Sequence, residues 1–139
     1  MLTREEIASA FTPGSHGSTF GGNLLACAAA NETLKIILEE GFLEGVQEKG
    51  EYLHSRLEGL AADFPELATG ARGMGLLRAL VLSEEAVEHG GEIVNKMFER
   101  GYLMNFAGNV ALRFAPPLVV SKEEIDRIVD ELAKVLADY

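Results

Sequence analysis

The segment Gly14-Ser-His-Gly-Ser-Thr-Phe-Gly-Gly22 gathers three hydroxyl side chains, one imidazole and four glycines directly ahead of an alanine-rich stretch that begins at Leu24. Glycines leave backbone N–H groups uncrowded, and a helix starting at Leu24 would add the positive end of its dipole, so the segment holds the donors a phosphate requires. It departs from the common phosphate loops. Gly17 to Gly22 has the spacing of a Walker A loop, but Asn23-Leu24 stand where Lys-Ser/Thr is needed. No strand pattern leads into it, as a dinucleotide fingerprint requires, and the other candidate, Gly73-Met-Gly75, lacks the third glycine. A glycine-rich lead-in to a helix, with no ligand, is the alternative, and pattern alone admits both.

Arg113, in Asn109-Val-Ala-Leu-Arg-Phe-Ala-Pro-Pro117, is the second candidate. If Val110, Leu112 and Phe114 point to one face of a strand, Arg113 lies on the other with Ala111 and Ala115, whose small side chains leave room for a guanidinium. Such an arginine can grip a carboxylate through two parallel hydrogen bonds. A salt bridge to one of the 22 acidic residues, or plain solvent exposure, is the simpler reading of the residues alone.

The remaining chemistry-bearing residues have simpler readings. His16 could bond a ligand from the loop, whereas His54 and His89 fall on charged helix faces and are expected to be solvated. No His/Cys/Asp/Glu spacing fits a zinc or iron site. Ser18 or Thr19 as a nucleophile would need an activating base that no motif supplies. Met74, Met97 and Met104 read as core filling, and the acidic residues as a solvated face.

These candidates must be positioned by one modest core. A 139-residue chain buries roughly two thirds of its unfolded surface, enough for one domain and too little for two complete ones. Forty-seven per cent hydrophobic residues and only four prolines argue against disorder. Twelve basic against 22 acidic side chains give a net charge of −10, which repels a polyanion, so no nucleic-acid partner is expected. The single cysteine, Cys27, suits a reducing compartment. No signal peptide and no apolar run of the ~20 residues that span a bilayer are visible, so no membrane partner and a cytoplasmic location are expected.

The first twenty or so residues read as irregular, followed by a helix over 24–40 with Asn23 as its N-cap and Gly41 as its stop. A second helix is expected from about Leu43 to Phe64, carrying Leu53, Leu57 and Leu60 on its apolar face. The stretch 67–82 reads as strand, glycine-marked turn, strand, and a third helix is expected from Glu84 toward Arg100, with Gly90-Gly91 able to break its first turn. Two short strands, Tyr102–Asn105 and Val110–Phe114, then flank a Gly-Asn turn, and Ser121-Lys-Glu-Glu124 is a capping box opening the last helix. This order predicts an α+β fold: a small, mostly antiparallel sheet covered on one face by helices.

His16-Gly-Ser-Thr-Phe-Gly-Gly-Asn23 followed by Leu-Ala-Cys-Ala-Ala-Ala30 resembles the signature before the domain-linking helix of class III aminotransferases, pyridoxal-phosphate enzymes of fold type I. Phe11-Thr-Pro-Gly-Ser15, Glu48-Lys-Gly-Glu-Tyr-Leu53, Arg72-Gly-Met-Gly-Leu76, Leu112-Arg-Phe-Ala-Pro-Pro-Leu118 and Lys122-Glu-Glu-Ile-Asp126 look like its acetylornithine branch. Leu24 departs from the family's usual proline, and Ala79 from its usual glycine. The resemblance implies that Thr19, with Ser18, hydrogen-bonds the cofactor phosphate from the neighbouring subunit of a homodimer, and that Arg113 binds the substrate α-carboxylate. It also implies amino-acid and 2-oxo-acid substrates.

The family's cofactor-bearing lysine, pyridine-binding aspartate and stacking aromatic ring all precede the glycine-rich segment, so none is expected in this chain. Lys35, Lys49, Lys96, Lys122 and Lys134 have no matching context, and no catalytic residue is assigned. The resemblance thus makes residues 1–30 the end of a large cofactor-binding domain and 31–139 a C-terminal small domain, inactive alone. A non-catalytic α+β module for association or regulation is the alternative, as is a sister enzyme acting on ornithine, succinylornithine or 4-aminobutyrate.

Overall fold

The computed structural model describes residues 3–139, of which residues 3–40 form one compact unit and Gly41–Tyr139 a second. In the first unit the stretch expected to be irregular contains one helical turn, α1 (Glu5–Ala8), closed by N–H groups of Ile7 and Ala8 donating to the Arg4 carbonyl oxygen. Glu5 and Glu6 in that turn complement its dipole. Helix α2 (Leu24–Ile37) starts where the sequence predicts, with Asn23 Oδ1 accepting from the Ala26 N–H at 2.9 Å. It ends before the expected 40, and none of its residues is buried.

The second unit holds the core. Helix α3 (Phe42–Asp63) is followed by β1 (Ala68–Met74), β2 (Leu77–Leu82), a 3-10 turn (Val87–His89), α4 (Gly90–Glu99), β3 (Asn105–Ala107), β4 (Ala111–Phe114) and α5 (Lys122–Leu136). The strands form one sheet in the order β1-β2-β4-β3 with every neighbour antiparallel. Leu80, Leu82, Leu112 and Phe114 are buried in one cluster with Leu53, Leu57 and Leu60 of α3, Ile93 and Met97 of α4, and Ile125, Val129 and Leu132 of α5. The expected α+β fold is therefore the observed one. On the opposite face, residues paired across the strands fall in rows, and Arg72, Ala79, Arg113 and Asn105 make one such row.

Three boundaries differ from expectation for local reasons. The third helix starts at Gly90 rather than Glu84 because Ser83 forms a turn first: its hydroxyl accepts from the Ala86 N–H and donates to the Glu66 carbonyl oxygen. Gly90 begins that helix instead of breaking it, and a Cβ there would lie 2.5 Å from the Phe106 ring. The strand expected over 102–105 is shifted to 105–107, since Gly101 (φ 89°) and Tyr102 turn back to bond the Phe98 and Met97 carbonyls. Gly108 (φ 59°) and Asn109 (φ 52°) are both left-handed, as a primed turn closed by the Val110 N–H donating to the Ala107 carbonyl oxygen requires, and three residues separate the paired Ala107 and Ala111. Gly41 (φ 83°) precedes α3 rather than stopping α2.

Candidate anion-binding residues

The glycine-rich loop is shaped by its own side chains. The Gly21 N–H donates to Ser18 Oγ at 2.9 Å, and a Cβ on Gly21 would come within 2.9 Å of that hydroxyl, so glycine is needed for the loop to close on Ser18. Asn23 anchors the other end, its Nδ2 donating to the Phe20 carbonyl oxygen at 2.7 Å while its Oδ1 caps α2. Between these tethers Thr19 is exposed, and its hydroxyl has no hydrogen-bond partner among the described residues. Ser18 Oγ accepts inside the loop yet keeps its own hydrogen to donate. His16 stacks edge-on against Phe11, the ring centroids 5.9 Å apart.

Arg113 lies in the second unit, on the sheet face away from the helices. It pairs with Ala79 of β2 on one side and Asn105 of β3 on the other. Alternation along β4 explains this: Leu112 and Phe114 are buried toward the helices while Arg113 is exposed. No ion pair to Arg113 occurs among the described residues, so the salt-bridge alternative is not realised within the chain. Arg113 also borders a largely apolar cleft of about 750 Å³, with Leu103, Met104, Ala115, Pro116 and Ile128 among its walls.

Two minor expectations need correction. His54 is half-buried rather than solvated, its Nδ1 lacking a hydrogen-bond partner among the described residues; His89 rests against the Tyr139 ring at 4.9 Å between centroids. Met74 is 86% exposed at the β1–β2 hairpin, whereas Met97 is fully buried and Met104 half-buried against the core. The lysines lie on helices, Lys49 donating to the Leu118 carbonyl oxygen and Lys122 and Lys134 pairing with Glu48 and Glu131. Among the described residues no group of acidic, histidine and cysteine side chains could hold a metal ion, and no helix is long and apolar enough to cross a membrane.

Sequence reasoning missed the cross-strand neighbours of Arg113. Ala79 and Asn105 flank it, and Arg72 stands one strand further along the same row. Only the register brings these positions together, and no local spacing signals it.

The sequence profile described as Aminotransferase class-III matches residues 1–136. The chain is 43% identical over 133 residues to the acetylornithine aminotransferase of Synechocystis sp., covering 96% of this chain and 31% of that one. It is 40% identical over 138 residues to the acetylornithine aminotransferase of Methanocaldococcus jannaschii, covering 99% and 33%. Among solved structures, a lysine aminotransferase from M. tuberculosis superposes with a TM-score of 0.80 at 36% identity, covering 91% of this chain and 28% of that one. The acetylornithine aminotransferase from Elizabethkingia anophelis does so with a TM-score of 0.78 at 32% identity, covering 99% and 34%. The chain spans about a third of the length of the curated relatives it matches. A profile match running nearly end to end, joined to the same fold in solved relatives, makes the chain a member of the class III aminotransferase family.

Proposed function

We propose that the chain is the C-terminal part of a pyridoxal-phosphate-dependent aminotransferase whose whole form transfers an amino group from N-acetylornithine to 2-oxoglutarate in arginine biosynthesis. The observation that carries this is the relatives' shared name: acetylornithine aminotransferases at 38 to 43% identity align over nearly the whole chain. In this reading residues 1–30 close the large cofactor-binding domain and 31–139 form the small domain, the boundary falling inside α2 as a linking helix requires. The whole protein is a cytoplasmic homodimer, and the loop serves the cofactor of the partner subunit.

The loop fits a phosphate on its own geometry. The Thr19 hydroxyl is exposed and unengaged among the described residues, and Ser18 stands beside it with a hydrogen to donate. With a net charge of −10, attraction of the phosphate depends on such local donors, because the bulk charge opposes it. Pyridoxal phosphate, when bound, supplies an electron sink for the bond broken at the substrate α-carbon. Thr19 and Ser18 hold the phosphate, fixing the position of the ring. Arg113 takes the α-carboxylate in a bidentate grip, which orients the α-carbon without itself moving a proton. The lysine that shuttles the proton belongs to the rest of the protein.

Mixing the chain with pyridoxal phosphate, reducing with borohydride and mapping the adduct by mass spectrometry tests this. Expected are no single labelled lysine and no turnover of N-acetylornithine with 2-oxoglutarate. A stoichiometric adduct on one lysine together with turnover overturns it. A coding sequence that continues upstream of Met1 through a lysine-bearing segment supports the enzyme, while a true start at Met1 supports a non-catalytic module. The lysine and ornithine aminotransferases among the structural relatives favour a second donor reading, so the whole protein is assayed with ornithine, succinylornithine and 4-aminobutyrate beside N-acetylornithine.

A further inference from the structure

We propose that the Glu58 carboxylate closes the open edge of the sheet, keeping β1 from pairing with the β1 of a second copy of the chain.

The strand order β1-β2-β4-β3 leaves the sheet two edges, and the two differ. β3 is three residues long, and a strand that short offers little to pair with. β1 runs for seven residues, Ala-Thr-Gly-Ala-Arg-Gly-Met, and four of these are glycine or alanine. Small side chains leave its backbone uncovered, and alternate residues of an edge strand turn their N–H and C=O groups away from the sheet. Such a row is a template for another strand.

The row is occupied at its centre from within the chain. The Ala71 N–H donates to Glu58 Oε1 of α3 at 2.6 Å, a bond between residues thirteen apart. Two places along, the Gly73 carbonyl oxygen accepts from Arg78 Nη1 at 2.8 Å. Gly70 makes room for the first contact, since a Cβ there would lie 3.4 Å from Glu58 Oε1. The pairing with β2 is irregular between Ala68 and Gly70, a kink of the kind that blunts edges. Glu58 is exposed and takes part in no ion pair among the described residues, so its carboxylate is given to this backbone donor. It both takes the N–H and sets a negative charge where an incoming strand would lay a carbonyl oxygen.

The occupant excluded is a second copy meeting the same edge. Antiparallel pairing of β1 with its counterpart runs about a two-fold axis, and at its centre Ala71 would exchange N–H and C=O bonds with the same residue of the other copy. That contact needs the N–H that Glu58 holds.

The full chain, labelled with nitrogen-15, is compared as the native sequence, Glu58→Ala and Glu58→Gln over a roughly tenfold dilution. In Glu58→Ala the amide signals of residues 69–73 should move with concentration, and sedimentation should show more dimer than in the native chain. In the native chain those signals stay still. Glu58→Gln, whose side-chain oxygen still accepts from Ala71, should match the native chain. Signals over 69–73 that stay still in Glu58→Ala, or that move as much in the native chain, overturn the proposal, as does a Glu58→Gln variant that associates like Glu58→Ala. A bond that only ties α3 to β1 would lower the melting temperature of Glu58→Ala without any dependence on concentration. Glu58 is exposed, and the amide spectrum outside β1 verifies the fold of each variant.

Discussion

Arg78 shows how one side chain can set the shape of a turn. It is only 5% exposed, and its Nε and Nη1 donate to the carbonyl oxygens of Gly75 and Gly73 at 2.8 Å each, while Nη2 pairs with the exposed Glu51. Arg78→Met keeps the length of the stem but leaves the Gly73 and Gly75 carbonyl oxygens without these donors. A loss of about 2 to 3 kcal/mol is expected, measured as a lower urea midpoint with unchanged slope. A neutral result would mean that water replaces the guanidinium at the hairpin. The exposed position of Arg113 is legible in the sequence because alternation with Leu112 and Phe114 depends only on neighbours along the chain. The role of Arg78 is not, since a buried arginine and an exposed one read alike when the partner strand is unassigned.

At the scale of elements, α3 carries glycines that look equivalent in sequence and are opposite in effect. A Cβ on Gly50 would sit 2.3 Å from the Gly75 carbonyl oxygen, so this turn of the helix accepts the β1–β2 hairpin against bare backbone. Gly45 and Gly59 have nothing within 4 Å of a built Cβ. Gly50→Ala should cost about 1 to 3 kcal/mol by overpacking. Gly59→Ala should instead add about 0.5 to 1 kcal/mol through helix propensity and reduced freedom of the unfolded chain. Thermal melts of the two variants moving in the same direction would refute the distinction. The capping box at Ser121 and Glu124 and the Asn23 cap are legible because a cap is a contact over three residues. The start of α4 is not, because Ser83 diverts the chain through a bond to Glu66, seventeen residues away.

For the whole molecule, both hairpins can be read from their turns, but the joining of β2 to β4 cannot, because strand order is decided by burial of the two faces rather than by any local signal. The response to pH rests on one long-range pair, Glu48 with Lys122, and two contacts local to α5. The Lys122 ammonium holds the Glu48 carboxyl below its usual range, and the Ser121 backbone N–H and hydroxyl do so for Glu124. Lys134 acts likewise on Glu131. Carboxyls lowered in the fold stabilise it above their ordinary value of 4.5 and lose that contribution as pH falls through the folded values. Lys122 and Lys134 are raised by hydrogen bonds to the same carboxylates, so their share is complete below 10.5 and is lost as pH rises through the folded values. The melting temperature is therefore expected to be flat between these limits and to fall outside them. Because these groups are exposed, added salt should flatten both flanks, and an acid flank indifferent to salt would contradict the ion-pair origin.

The absence of buried residues in α2 has a consequence for lifetime. A 14-residue helix held mainly by its own hydrogen bonds is marginal in water, and Leu24 and Leu25 are more than 80% exposed. In the chain by itself, amide protons over 24–37 should exchange with solvent far faster than those of β2 and α5, and a protease should cut there first, leaving the unit Gly41–Tyr139 as the lasting product. Protection of 24–37 equal to that of the sheet would show that the helix has found a surface to lie on.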